Sequence, residues 1–100
     1  MARDRKSLDQ TLRVFTNNVY YQPPATVKMS FPAIRYRRVG IDIRHADDDS
    51  YNQTRSYEII VIDRDPDSEL VTKVSQLPGI RHGRSYQADG LNHDLFTINW

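Results

Sequence analysis

Residues 56–77 read Ser56-Tyr57-Glu58-Ile59-Ile60-Val61-Ile62-Asp63-Arg64-Asp65-Pro66-Asp67-Ser68-Glu69-Leu70-Val71-Thr72-Lys73-Val74-Ser75-Gln76-Leu77, and the periodicity changes halfway. Through Ile62 the run is β-branched and aromatic, with Tyr57, Ile59 and Val61 on one face and Ile60 and Ile62 on the other. Apolar residues on both faces predict an interior strand. Asp65 and Pro66 are residue types preferred at a helix N-cap and first position, and Asp67 and Glu69 suit the first turn, where unpaired amides attract negative charge. Leu70, Val74 and Leu77, with Val71 beside them, recur at helical spacing, and Pro78-Gly79 supplies a stop. The stretch therefore predicts one strand feeding one amphipathic helix, at 66–77, that lies back on a sheet.

Working outward, residues 4–15 carry Leu8, Leu12 and Phe15 at i, i+4 and i+7, a short amphipathic helix with one narrow apolar stripe. Residues 19–32 contain Tyr20-Tyr21-Gln22-Pro23-Pro24, where two prolines forbid helix and favour an extended connector. A strand follows at Ala33, with Ile34 and Tyr36 on one face. Its apolar alternation resumes at Val39, Ile41 and Ile43 with parity shifted near Arg37-Arg38, which predicts a bulge or a break before Gly40. The polar run 45–54, with Asp47-Asp48-Asp49-Ser50 inside it, is expected to be a long hairpin loop between strands 1 and 2. Residues 80–88 alternate weakly, Asp89-Gly90 is a two-residue turn signal, and 93–100 form a last strand ending in the only tryptophan. The expectation is an α+β fold in one domain, 1–100: a four-stranded, largely antiparallel sheet covered by two helices, in the order α-β-β-α-β-β.

At 100 residues with no cysteine, the chain has room for one core, with neither disulfides nor a thiolate metal site to supplement it. The longest unbroken apolar run, residues 59–62, falls far short of the roughly 20 residues that span a bilayer. The charged start Met1-Ala2-Arg3-Asp4-Arg5-Lys6 is not followed by an apolar stretch, so a soluble protein made in the cytoplasm is expected. A net charge of +1 gives no global electrostatic pull toward nucleic acid or membrane.

Several constellations invite chemistry. Asp47, Asp48 and Asp49 offer oxygen ligands for a hard cation, but they lack the spaced carboxylates and distant glutamate of an EF-hand and read as a solvated hairpin tip. Asp63, Asp65, Asp67 and Glu69 lie where a metal-dependent nuclease would hold its ion, although capping already occupies Asp65. His45, His82 and His93 fall in separate segments without a recognisable serine or carboxylate order, and triads assemble in space rather than in sequence. Gly40, Gly79, Gly83 and Gly90 are too scattered for a phosphate loop. No enzyme activity, metal or cofactor is expected. Arg35, Arg37, Arg38 and Arg44 with Tyr51 and the acidic run 47–49 mark a mixed-charge protein contact surface, since arginine and tyrosine are favoured at interfaces. The alternative is a small nucleic-acid-binding module using the 35–44 surface through stacking and phosphate contacts.

Four segments together carry a resemblance: Tyr20-Tyr21-Gln22-Pro23-Pro24, then Met29-Ser30-Phe31-Pro32-Ala33-Ile34-Arg35-Tyr36, then Ile62-Asp63-Arg64-Asp65-Pro66-Asp67-Ser68, then Asp89-Gly90-Leu91-Asn92-His93-Asp94-Leu95-Phe96. From Val19 onward the chain is similar to the small neck proteins of tailed bacteriophages, the tail terminator or tail-to-head joining group. The resemblance implies a virion protein whose protomers assemble, typically as a hexamer, into a ring on the tail tube. Such a ring stops tube polymerisation, meets the head connector or stopper protein, and lets DNA pass through its lumen without sequence-specific binding. It implies no catalytic residues.

Overall fold

A computed structural model describes the backbone of residues 4–45 and 51–100 and the side chains of residues 4–41 and 55–100. The elements follow the order α1 (Arg5–Phe15), β1 (Val19–Tyr21), β2 (Ala33–His45), β3 (Tyr51–Asp63), α2 (Glu69–Ser75), β4 (Ile80–Ala88) and β5 (Leu91–Asn99). The class is α+β, but the sheet has five strands rather than four, in the order β1-β2-β3-β5-β4. It is also mixed, because β1 runs parallel to β2, with Val19 opposite Ile34 and Tyr21 opposite Tyr36.

The run at 57–62 is central, as its two apolar faces require: β3 pairs antiparallel with β2 on one side and β5 on the other. Tyr57, Ile59 and Val61 face the helices and join Leu8, Leu12, Leu70, Val74, Ile34, Tyr36, Phe96, Ile98 and Trp100 in one buried core. Ile60 and Ile62 are buried on the second face, where the register sets them between Arg35 and Leu95 and between Ala33 and His93. Each helix contributes its apolar stripe and leaves the rest in water; Val14, on the outer side of α1, is 81% exposed. Asp4 caps α1 by accepting from the Ser7 amide at 2.9 Å, satisfying one of the helix's unpaired donors.

Three boundaries differ from expectation. The helix expected at 66–77 is shorter, Glu69–Ser75, and its N-cap is Ser68 rather than Asp65. The carboxylates upstream are spent locally: Asp63 Oδ1 accepts from the Asp65 amide and Asp65 Oδ1 from the Asp67 amide, two side-chain turns that delay the helix. The connector at 19–32 contains strand β1, and the run 45–54 is not one long loop. Its ends belong to strands, since β2 continues to His45, β3 begins at Tyr51, and these two residues pair.

The parity shift is a register break between Arg38 and Gly40, with Val39 as the extra residue. The turn at Asp89-Gly90 joins β4 to β5 with both residues at positive φ, 55° and 75°, the mirror-image geometry that suits tight hairpins. Because β5 pairs with β3 only from Ser56 on, and β1 with β2 only through Tyr36, the hairpin beyond Gly40 and Ser56 has no third strand among the described residues. It projects as a two-stranded arm, and the molecule measures 52 × 27 × 22 Å.

Candidate functional site

The expected contact residues divide around the root of this arm. Strand alternation sends Arg35 and Arg37 to the second face and Arg38 toward the helix face. Arg37 lies opposite Glu58 in the register and grips it with both ends of its guanidinium, at 3.1 Å from Nε and 3.4 Å from Nη2. Arg35, opposite Ile60, has no carboxylate partner among the described residues. Arg38 is felt instead by Tyr57: burial pushes the Tyr57 hydroxyl pKa up, and Arg55 and Arg38 pull it partly back. Arg44 pairs through its backbone with Asn52, and Tyr51 with His45, but their side chains lie outside the described residues. Asp47, Asp48 and Asp49 lie outside them altogether.

The edge of β2 shapes these residues into a groove. After β1 stops at Tyr21, Gln22 prolongs the ladder with its amide to the Tyr36 carbonyl at 2.9 Å and its side-chain oxygen to the Arg38 amide at 3.3 Å. Gln22 adopts φ 42° to do so. Pro23 then has no N–H to donate, so pairing along this edge ends there. The resulting groove, about 510 Å3, is lined by Gln22 and Pro23 on one side and by Arg35, Arg37, Glu58 and Ile60 on the other. Three guanidiniums, those of Arg35, Arg37 and Arg38, line it against the one carboxylate of Glu58 and leave it positively charged. Just beyond it, Val39 and Ile41 are 46% and 45% exposed.

Glu58, Gln22 and Pro23 escaped the sequence reading. The pairing of Arg37 with Glu58 was recoverable from the hairpin register, but only once residues 51–54 are seen to belong to β3.

The structure also brings together a serine, a histidine and an aspartate that the sequence left apart. His82 Nε2 lies 3.1 Å from Ser85 Oγ and 3.2 Å from Asp94 Oδ1, and Ser85 Oγ hydrogen-bonds the same Asp94 oxygen. A triad needs the carboxylate on one ring nitrogen and the nucleophile on the other, so that the ring relays a proton between them. Here both partners meet at Nε2, and the serine donates directly to the aspartate, so the ring does not stand between nucleophile and carboxylate. His93 is engaged elsewhere, its Nδ1 3.2 Å from the Leu91 carbonyl oxygen and its ring stacked on Tyr86 at 4.8 Å. A second groove of about 310 Å3 gathers Asp63, Asp65 and Glu69, with Lys73 also on its wall.

No protein-family model matches the chain, and no curated protein matches it. Among the described residues no helix is long and apolar enough to cross a membrane.

Proposed function

We propose that this chain is a structural virion protein of a tailed-phage neck, forming a ring that caps the tail tube and joins it to the head connector. The observation that carries the reading, alongside the resemblance, is the two-stranded arm beyond Gly40 and Ser56. A lone hairpin is marginal in water, and its unpaired edges invite another chain. Val39 and Ile41, exposed at its root, add apolar surface of the kind contacts bury. The protomer therefore resembles a tile with a connector: a core closed by two helices, and a projection stabilised by neighbours. The function needs no catalytic group, and DNA passes the lumen without being read.

The test is negative-stain imaging of the purified chain with tail tube protein. Rings on one end of tubes of limited length support the reading, and tubes that grow without regard to the chain contradict it.

A second reading, nucleic-acid binding, draws on the placement of Arg35 and Arg37 on one groove. A steep fall in affinity for a random oligonucleotide with rising salt would favour it.

A further inference from the structure

Both helices pack on the face of the sheet that carries Tyr57, Ile59 and Val61, which leaves the second face without a helix among the described residues. Cross-strand register lays that second face out in rows. One row runs from β2 to β4 through Arg35, Ile60, Leu95 and Arg84, and the next through Arg37, Glu58, Thr97 and Arg81. On a regular strand Arg81 and Arg84 would point to opposite faces. The register break between His82 and Arg84, with Gly83 as the extra residue, turns both to this one. Each row therefore ends in an arginine at both margins, with Glu58 as the one carboxylate of the two rows. Glu58 is committed to Arg37 at 3.1 Å, whereas Arg35 and Arg81 have no carboxylate partner among the described residues.

We propose that this face binds the phosphate backbones of double-stranded nucleic acid without reading sequence. The inference rests on the nucleic-acid reading above and deepens it, adding a second arginine pair from the opposite edge of the sheet and naming the form of the ligand. The two pairs stand three strand spacings apart, about 14 Å, and the members of the β2 pair about 7 Å apart. The major groove of B-form DNA is about 12 Å wide with a backbone on either side. Each margin can thus engage one backbone while the sheet between them spans the groove. A single strand would instead need free aromatic faces for its bases. Those on this face are taken: Tyr86 stacks on His93 with ring centres 4.8 Å apart, and the Arg84 guanidinium lies 5.1 Å from the Tyr86 centre. The competing occupant is an acidic protein surface, but a protein contact draws on an apolar centre, and Ile60, in the middle of its row, is only 6% exposed. Phosphate contacts carry no sequence information, so the same face can meet DNA that passes through a ring unread.

The test is binding of a random-sequence DNA duplex, read by fluorescence anisotropy over a salt series. Phosphate contacts at Arg35, Arg81 and Arg84 give a slope of log K against log salt of about −2.7, and a fourth at Arg37 about −3.6. R35Q, R81Q and R84Q should each weaken binding about five- to tenfold and flatten the slope by about 0.9, whereas K6Q, on α1, changes neither. Circular dichroism checks folding, and arginine labelling of the unaltered chain with phenylglyoxal, read by mass spectrometry, needs no variant. Duplex should protect Arg81 and Arg84 and leave the exposed Arg64, between β3 and α2, open to reagent. Labelling of Arg81 and Arg84 that duplex does not slow overturns the inference. A slope flattened by R35Q but not by R81Q or R84Q confines binding to the groove, which keeps the nucleic-acid reading and overturns this one. No binding to duplex or single strand overturns both, and leaves the ring reading to its own test. Tighter binding to a single strand, or to poly-glutamate, than to duplex overturns the inference and assigns the face to that class of partner.

Discussion

The Tyr36 hydroxyl donates a 2.6 Å hydrogen bond to Asp9 Oδ2 and accepts one of 3.0 Å from Arg5, so α1 is tied to β2 by polar groups as well as by Leu8 and Leu12. Arg5 also lies over the Tyr21 ring, 4.4 Å from its centre, and Arg13 reaches the Val19 carbonyl at 3.2 Å. The short parallel strand β1 is thus held against α1 as well as against β2. Burial pushes the Tyr36 pKa well above the ordinary tyrosine value, and its bond to Asp9 adds to that. Burial also pushes Asp9 upward, but the hydrogen bonds from Tyr36 and Arg13 and the nearby arginine charges outweigh it and hold the carboxyl below its usual value.

The pair makes stability fall at both ends of the pH scale. Asp9 titrates lower when folded than unfolded, so its contribution is present above the unfolded value, about 3.9, and is lost as pH falls through the folded one. Tyr36 titrates higher when folded, so above about pH 10 the unfolded chain ionises first and stability declines as pH rises. Asp9→Asn should cost about 1.5–3 kcal/mol at pH 7, with the gap to the unaltered chain closing toward pH 3. Urea midpoints across pH check both signs.

The core and the outer side of α1 should respond differently to substitution. Leu12 is fully buried, and Leu12→Ala should cost about 2–5 kcal/mol. Val14, two residues on, is 81% exposed, and Val14→Asp should stay within about 0.5 kcal/mol. Paired denaturant titrations measure the contrast.

Trp100 closes the domain from its far end. Its indole N–H donates to Ser7 Oγ at 2.8 Å and lies 3.1 Å from the Asp4 carbonyl oxygen, joining the last residue to the start of α1. Trp100→Phe keeps an aromatic ring but removes the donor, and should cost about 1 kcal/mol or more; Trp100→Ala, which also opens a cavity, should cost about 3–5. Thermal and urea unfolding of the two variants separates the hydrogen bond from the packing.

Ser85 should be inert. With Ser85 and Asp94 both meeting His82 at Nε2, a fluorophosphonate probe is expected to leave the chain unlabelled under conditions that label a serine hydrolase. Mass analysis showing the adduct on Ser85 would contradict that geometry.

What was legible in the sequence was what periodicity and turn chemistry encode. The central strand with two apolar faces, the helical stripes, the break before Gly40 and the Asp89-Gly90 turn all follow from local pattern. Strand β1 did not, because Val19-Tyr20-Tyr21 is too short to alternate and its partner lies beyond a proline-rich connector. Nor did the ends of β2 and β3 at His45 and residues 51–54: the alternation of Val39, Ile41 and Ile43 carries β2 only to Ile43, and the polar residues beyond it read as loop. Asp65 and Pro66 looked like a cap because two side-chain turns at Asp63 and Asp65 use the same residue types as a helix start. The groove depends on both misread features, on β1 ending at Pro23 and on the register that sets Arg37 against Glu58.

The arm should be separable from the fold. Gly40 and Ser56 are a register pair at its root, so replacing residues 41–55 by Asn-Gly closes the hairpin there with a favoured turn. The shortened chain loses Arg55, whose carbonyl accepts from the Trp100 amide at 2.8 Å, and a modest drop in melting temperature is expected for that reason. It should otherwise retain its circular dichroism and be unable to assemble.

The central claim, that this protein works by assembling, is tested most directly by native mass spectrometry of the full chain over a concentration series. The account predicts one discrete closed oligomer, a small whole-number multiple of 11.7 kDa, growing at the expense of monomer. Monomer alone at every concentration, with and without tail tube protein, would contradict it.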